Sequence, residues 1–287
     1  MNGDDTITRV EIAVRHHFID RDGVPLHVAV MGEGPLIVFL HGFPDHWLSW
    51  HAQMAAFADR YTVAALDLRG FNLSGQPIDA AAYAIPELVA DVGAVIEACG
   101  ADKAVLVGHD WGGWLAWTFA MHRSDRLRAL AIVNMPHPWA IARDLAQSEA
   151  QRAASAYVRA FQQQGAEAHI SKDRLGRWVT DPAFRARHDL AMARTNLEAT
   201  LNYYRVHFPS PPYSARTDAP PPVRVPTLAV HGLADPYALG EGLNDLWRWI
   251  DAPLTIEAWP SVGHFVQHEE PRRLTTTLAG FLDRLEQ

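Results

Sequence analysis

Short, continuous runs of apolar residues recur along the chain, and longer segments with apolar residues at helical spacing lie between them. A short apolar run with polar residues at both ends is typical of a strand that is buried on both faces of a sheet. Such strands are predicted at 36–40, 61–66, 104–108, 127–133, 226–231 and 254–259. Helices are predicted at 47–58, 86–99, 111–122, 239–250 and from residue 271 onward. This alternation predicts an α/β fold with a mostly parallel central sheet and helices on both faces.

Two segments depart from this alternation of strands and helices. Residues 9–18 and 24–31 are predicted to form a hairpin of two strands around Asp22-Gly23. After residue 136 the pattern is helical and contains no buried strand, and a proline-rich stretch ends it at residue 222. We therefore expect one α/β core, built from 1–136 and 223–287, that is interrupted by a helical cap, or lid, at 137–222. In such a fold, ligands bind beyond the carboxyl ends of the parallel strands.

Composition excludes several classes of function. The 287 residues carry a net charge of −8, so the chain has no excess of cationic side chains to neutralise nucleic-acid phosphates. No apolar run approaches the roughly 20 residues that span a bilayer, and the N-terminus has no signal-peptide pattern. Cys99 is the only cysteine, so we expect a cytoplasmic protein without an intrachain disulfide. Neither HExxH nor a Cys/His cluster occurs, and we expect no metal and no cofactor.

The segment 108–112 has the layout of a nucleophile elbow, in which a strand, a sharp turn and a helix present the central residue of Gly-x-Nuc-x-Gly. The central residue here is Asp110, where serine is more usual. A carboxylate can attack a saturated carbon and form an ester that is hydrolysed in a second step. An aspartate in this position could instead be only the N-cap of the helix. The two glycines around it favour the nucleophile.

Hydrolysis of such an ester requires a base, because a carboxylate that has become an ester cannot activate water. In chain order the base and its orienting acid are expected downstream of the nucleophile. His264 follows the last predicted strand and is our candidate base, whereas His268 lies further from that strand end. Asp235 follows the strand 226–231 directly and is our candidate acid. Asp235 alone could be a turn-former, but the triad layout favours a role in orienting the base.

The segment 41–44, His-Gly-Phe-Pro, follows the strand 36–40. Backbone N–H groups at this position and just after the nucleophile commonly form an oxyanion hole. We therefore expect the amides of Phe43 and Trp111 to stabilise an oxyanion during ester hydrolysis. The segment 41–44 could instead be a simple glycine-proline turn.

Together these motifs resemble the α/β-hydrolase superfamily over nearly the whole chain. Aspartate in the elbow narrows the resemblance to epoxide hydrolases and dehalogenases, and the segments 41–44, 108–113 and 134–138 resemble soluble epoxide hydrolases. Residues 202–205, Asn-Tyr-Tyr-Arg, are similar to the Asn-Trp-Tyr-Arg segment of that family. The resemblance implies that Tyr204 and Tyr157 are its two ring-opening tyrosines.

Two phenols that point at one oxirane oxygen would stabilise the alkoxide that develops as the ring opens. Each tyrosine could instead be a packing residue of the lid. The resemblance also implies the residues that line the substrate pocket, which we expect to be His41, Pro44, Trp114 and Phe265.

Three residues depart from the family pattern. Gln164 replaces a proline, which implies a locally looser lid, and Asn72 replaces a glycine in the segment 69–74. Asparagine tolerates left-handed backbone, so we expect that turn to persist. Trp114 is bulkier than the expected small residue. It either narrows the pocket or fills the core against a neighbouring helix, and we favour the core.

We predict an epoxide hydrolase that converts a small apolar epoxide and water to a vicinal diol through an Asp110 ester. The alternative is a haloalkane or haloacetate dehalogenase with the same Asp110, His264 and Asp235. Haloacetate dehalogenases carry an arginine after the nucleophile, whereas residues 111 and 114 are tryptophans here.

Two further classes of protein share this fold. One is a non-catalytic ligand-binding protein, which loss of the acid or the histidine would favour, but Asp235 and His264 are both present. The other is a serine esterase, which requires a Gly-x-Ser-x-Gly elbow that the chain does not contain. The epoxide hydrolase therefore remains the prediction.

Overall fold

The computed structural model of the chain describes residues 3–286, so residues 1, 2 and 287, which lie at the ends of the two predicted core segments, are outside it. Eight strands form one sheet in these residues, in the order β1-β2-β4-β3-β5-β6-β7-β8. β1 and β2 pair antiparallel, as do β2 and β4, and all other neighbours are parallel. The predicted α/β fold with a mostly parallel sheet is therefore confirmed. The strands are β1 (Arg15–Arg21), β2 (Val24–Met31), β3 (Leu36–Leu40), β4 (Thr62–Leu66), β5 (Ala104–His109), β6 (Leu127–Val133), β7 (Thr227–Gly232) and β8 (Leu254–Trp259).

Helices precede, separate and follow these strands. In and around the sheet they are α1 (Gly3–Ala13), α2 (His51–Phe57), α3 (Ile85–Ala98), α4 (Trp111–Arg123), α12 (Val266–Glu269) and α13 (Pro271–Leu285). Between β6 and β7 they are α5 (Pro138–Gln147), α6 (Glu149–Ala154), α7 (Tyr157–Phe161), α8 (Lys172–Leu175), α9 (Pro182–Arg194), α10 (Leu197–Thr200) and α11 (Asn202–His207). Residues 138–222 contain no strand. No helix within 3–286 has the length and apolar character to span a membrane.

The long helical insertion leaves the sheet continuous. β6 and β7 flank the insertion in the chain and pair directly, with Leu130 opposite Thr227. The carboxyl ends of the parallel strands therefore remain side by side. The division into a core and a cap at 137–222 is consistent with this arrangement and remains our proposal.

The N-terminal prediction was wrong for residues 9–14. We expected a strand from residue 9, whereas α1 extends to Ala13 and β1 begins at Arg15. Ile7 and Val10 are three residues apart and almost fully buried. Residues at this spacing share one face of a helix, and that face packs on α2. The two apolar residues were therefore part of a helical pattern.

The predicted helix at 239–250 was also wrong. The segment contains two single 3₁₀ turns, Gly240–Leu243 and Leu246–Trp249. Asp245 lies between them with φ of 61°, a left-handed conformation that interrupts a helix. Similarly, the predicted helix at 47–58 begins with a 3₁₀ turn, Trp47–Trp50, before α2.

The central strands are buried on both faces, as their apolar runs predict. On β3, Val38 packs in the apolar cluster on one side of the sheet, while Ile37 and Phe39 pack in the cluster on the other. Leu106 and Val107 of β5 divide between the two sides in the same way. The parallel pairing places the carboxyl ends of these strands side by side, with Leu40 opposite Leu66 on one neighbour and Gly108 on the other.

The turn that contains Asn72 forms as we predicted. Asn72 has a φ of 44°, in the left-handed region, and its side-chain Nδ2 donates to the Asp67 carboxylate at 2.9 Å. Gln164 is exposed in a turn after α7. Its effect on the mobility of the cap remains a prediction.

Candidate functional site

Asp110 occupies the sharp turn between β5 and α4. Its φ of 49° and ψ of −122° are rare for a residue with a side chain, and they direct the carboxylate away from both elements. The turn depends on Gly112, because a Cβ there would collide with the carbonyl oxygens of Leu40 and His41. The elbow predicted from the sequence therefore forms, with Asp110 at its centre.

Two groups contact the Asp110 carboxylate. The backbone N–H of Phe43 donates to Oδ1 at 2.8 Å, and Nε2 of His264 lies 3.6 Å from Oδ2. Burial alone would raise the pKa of Asp110, but the charge of His264 and the Phe43 hydrogen bond outweigh it and lower the pKa. Trp111 is the first residue of α4, so its N–H has no acceptor inside the helix. Asp110 is thus ionised near neutral pH and has amide donors beside it.

His264 and Asp235 form the second part of the site. Nδ1 of His264 lies 2.7 Å from Oδ2 of Asp235. Asp235 also accepts the N–H groups of Tyr237 and Ala238, at 2.8 and 3.1 Å. Burial opposes the charged form of His264, yet the carboxylates of Asp235 and Asp110 prevail and raise the pKa of His264 to about 10.

The two predicted tyrosines lie on the cap segment above Asp110. Tyr157 begins α7, Tyr204 is on α11, and their ring centroids are 6.2 Å apart. The Tyr204 ring packs edge-on against Trp111, with centroids 5.0 Å apart. Burial raises the pKa of both phenols, so both keep their protons and remain hydrogen-bond donors at neutral pH.

A cavity of about 670 Å³ brings these residues together. Asp110, His264, Tyr157 and Tyr204 all line it. Trp114 lines it as well. Its ring also packs against His207 of α11, with centroids 4.3 Å apart, and against the apolar core, so Trp114 has both of the positions that we had treated as alternatives. The other walls are mostly apolar and include Met121, Met135, Trp139 and Ile141.

Three residues predicted for the pocket do not line this cavity. His41 is fully buried beneath it, where its Nε2 accepts the N–H of Leu68 at 3.0 Å. The Pro44 carbonyl accepts a hydrogen bond from His188, and the Phe265 ring stacks on Trp178 with centroids 3.7 Å apart. Most of the walls come instead from α4 and from the helical insertion between β6 and β7.

Asn134 is a residue of this site that we did not select from the sequence. Its Nδ2 donates to Oδ2 of Asp235 at 2.8 Å and to the carbonyl of Gly263 at 3.1 Å, so it joins the turns that carry the acid and the base. It follows β6 directly, at a φ of 45°. This position at a strand end was the available signal. No group of three or more potential metal-ligating side chains occurs in the part of the chain that the structure describes.

Comparison with known proteins assigns the chain to a family. A family model described as alpha/beta hydrolase fold matches residues 35–271. The chain is 30% identical to "Epoxide hydrolase 3" of Xenopus tropicalis, over 91% of this chain and 75% of that protein. It is 29% identical to "Epoxide hydrolase A" of Mycobacterium tuberculosis, over 96% of this chain and 99% of that protein.

Solved structures agree with the sequence relatives. The crystal structure of a Bacillus megaterium epoxide hydrolase in complex with an inhibitor matches with a TM-score of 0.85 and 30% identity, over 93% of this chain and all of that chain. The fold and the elbow thus define an α/β-hydrolase. Within that class, the chain belongs to the epoxide hydrolase family.

Proposed function

We propose that this protein hydrolyses an epoxide to a vicinal diol through an ester formed on Asp110. The observation that carries this proposal is one cavity that is lined by a carboxylate, an imidazole and two phenols. Family membership supports the epoxide as substrate, and the apolar walls favour an apolar one, with water as the second substrate. The chain's own side chains supply each step below, without a cofactor.

The first step is ring opening. The ionised Asp110 carboxylate attacks a ring carbon, the C–O bond breaks, and the electron pair of that bond moves to the oxygen. Tyr157 and Tyr204 donate hydrogen bonds to this oxygen, and one of the two phenols transfers its proton to it. Donors that are already in position stabilise the developing charge without reorganisation. The product of this step is a hydroxyalkyl ester on Asp110.

Ester formation converts His264 into a base. The negative charge of Asp110 disappears, which removes one of the two charges that raise the pKa of His264. The imidazolium releases its proton, which restores the tyrosine. The neutral imidazole is held by Asp235 and removes a proton from water.

The activated water then attacks the ester carbonyl of Asp110. The amides of Phe43 and Trp111 donate to the oxyanion that forms. When the intermediate collapses, the diol oxygen leaves with the proton from His264. The carboxylic acid left on Asp110 then gives its proton to the neutral His264, so both groups regain their charges. Acid, base and water are therefore balanced over one turnover.

Trapping the ester tests this proposal. In His264→Gln, ring opening proceeds without hydrolysis, so the peptide with Asp110 gains the mass of the epoxide. The double variant Asp110→Asn, His264→Gln is the matched control and gains no mass. Absence of the adduct in His264→Gln, or an adduct on another peptide, contradicts the proposal.

A dehalogenase is the second candidate, and one observation favours it. Nε1 of Trp111 is a buried indole donor that lies beside Tyr204 in the wall of the cavity that contains Asp110. Such a donor suits a halide leaving group. Release of halide from haloalkanes, without turnover of any epoxide, would favour this function. For either activity we keep the cytoplasm as the proposed location, because Cys99 can form no intrachain disulfide.

A further inference from the structure

The turn at 263–265 carries His264, and a side chain binds its backbone on both sides of that residue. Oε2 of Glu269 accepts the N–H of Gly263 at 2.6 Å, and Oε1 accepts the N–H of Phe265 at 3.0 Å. One carboxylate therefore binds the amide that precedes His264 and the amide that follows it. Hydrogen bonds to a charged acceptor are stronger than those between neutral groups.

The carbonyl groups of the same turn are bound by two further side chains. Nδ2 of Asn134 donates to the Gly263 carbonyl at 3.1 Å, and Nε2 of His109 donates to the His264 carbonyl at 2.9 Å. Burial lowers the pKa of His109 to about 4, so the ring is neutral and its other nitrogen accepts Nε2 of Gln267 at 3.2 Å. Side chains thus satisfy two amides and two carbonyls around the base.

Glu269 lies very close to the turn. A Cβ at Gly263 would lie only 2.8 Å from Oε1 of Glu269, so a larger residue there would displace the carboxylate. Glu269 is the last residue of α12 and is exposed, whereas His264 is 6% exposed. Glu269 is thus an exposed carboxylate outside the lining of the cavity, and it binds the backbone on both sides of a buried base.

We propose that Glu269 is a positioning residue for the ester-hydrolysis step. Its two hydrogen bonds hold Nε2 of His264 at 3.6 Å from Asp110 and Nδ1 at 2.7 Å from Asp235. The inference rests on the proposed two-step function. Ring opening requires Asp110, Tyr157 and Tyr204, which lie on other elements, so a defect at Glu269 slows hydrolysis selectively.

The test compares Glu269→Gln with Glu270→Gln, which makes the same change in charge one residue along the chain. Glutamine has one acceptor oxygen, and its NH₂ group faces the second amide donor. In Glu269→Gln we expect kcat to fall about 10- to 100-fold, the loss typical when a group that orients a metal-ligating histidine is removed. KM falls by the same factor, because kcat/KM reports ring opening and stays within about twofold. In Glu270→Gln all three parameters stay at wild-type values.

Rapid-quench mass spectrometry gives the decisive readout. At steady state, the fraction of enzyme with an Asp110 ester rises in Glu269→Gln and stays at the wild-type level in Glu270→Gln. Glu269→Asp keeps the charge, but its shorter side chain reaches one amide, so its kcat lies between the wild-type and Glu269→Gln values. If Glu269→Gln does not fold, the same separation of kcat from kcat/KM is required of Glu269→Asp.

Two results overturn the inference. One is an equal loss of kcat and kcat/KM in Glu269→Gln. The other is an ester fraction in Glu269→Gln that equals the wild-type fraction, in an experiment where the wild-type enzyme does form the ester. Failure of the proposed function gives a different result, because the wild-type enzyme then forms no Asp110 ester at all.

Discussion

The floor and the roof of the cavity are held in place by different forces. On the floor, Asp110, His264 and Asp235 lie at or just after strand ends, and hydrogen bonds of 2.7 to 2.8 Å join them to one another or to backbone amides. On the roof, Tyr157 and Tyr204 lie on short cap helices and are held by aromatic packing. The floor therefore depends on the sheet, and the roof depends on how the cap packs.

Phe43 belongs to both regions. Its backbone N–H binds Asp110 at 2.8 Å, while its ring packs edge-on against Tyr204, with centroids 5.6 Å apart. The ring also contacts Phe161 of α7. Phe43 thus links the roof to the nucleophile. Substitutions that leave Phe43 in place should affect the floor and the roof separately.

Removing the nucleophile breaks the floor and has the largest expected effect. Asp110→Ala should lower kcat by about ten-thousand-fold or more, since no other group can form the ester. Asp251→Ala, a change at an exposed aspartate, should retain wild-type activity. Steady-state hydrolysis of an aryl epoxide measures both. A loss smaller than tenfold in Asp110→Ala would exclude Asp110 as the nucleophile.

Removing one roof donor has the next largest effect. Tyr157→Phe and Tyr204→Phe should each lower kcat/KM about 100-fold, the usual result of losing one oxyanion donor, and the double variant should lose more. Tyr203→Phe is the matched control, because the Tyr203 hydroxyl donates to the Arg69 carbonyl at 3.1 Å. It should retain kcat/KM and lose about 1 kcal/mol in the free energy of unfolding. Equal activity in all three single variants would show that the roof does not act in ring opening.

The dependence on pH should separate the two half-reactions. Charged neighbours lower the pKa of Asp110, so the nucleophile stays ionised and kcat/KM should be flat from about pH 8 to pH 5. Hydrolysis requires neutral His264, so kcat should fall about tenfold per pH unit below the pKa of His264 in the ester. That pKa lies below the free-enzyme value of about 10, because the Asp110 charge is absent. A parallel fall of kcat and kcat/KM over this range would contradict the assignment.

Enlarging the cavity has the smallest expected effect. Trp114→Ala removes a side chain from the wall of the cavity and leaves the side chains of the floor and of the roof unchanged. The kcat/KM for a small epoxide should change by less than about fivefold, and that for a bulky aryl epoxide should rise by a similar factor. Trp247→Ala, at a tryptophan that is 60% exposed, should change neither. A hundredfold loss with the small epoxide would mean that Trp114 positions the catalytic groups.

Most of the floor could be predicted from the sequence. Asp110, Asp235 and His264 each follow a strand that its apolar run reveals, and parallel strands bring their carboxyl ends together. Glu269 was missed because a Glu-Glu pair five residues beyond His264 has the pattern of a solvated surface. Asn134 was missed because its amide has no acid–base chemistry, although it also follows a strand.

The walls of the cavity could not be predicted in the same way. His41, Pro44 and Phe265 are close to the catalytic groups in sequence, but the structure directs them away from the cavity. Walls arise where the cap helices pack on the core, and residue spacing does not determine that contact. The helix predicted at 239–250 failed for a local reason, because Asp245 interrupts a segment whose apolar residues have helical spacing.

A single turnover in ¹⁸O-labelled water tests the Asp110 ester most directly. With enzyme in excess over the epoxide, the oxygen of the water enters Asp110 when the ester is hydrolysed, so the first diol contains no label. The account predicts one ¹⁸O in the peptide that contains Asp110 and, after a second turnover in ordinary water, label in the diol. Label in the diol of the first turnover, with an unlabelled Asp110 peptide, would show direct attack of water on the epoxide and contradict the account.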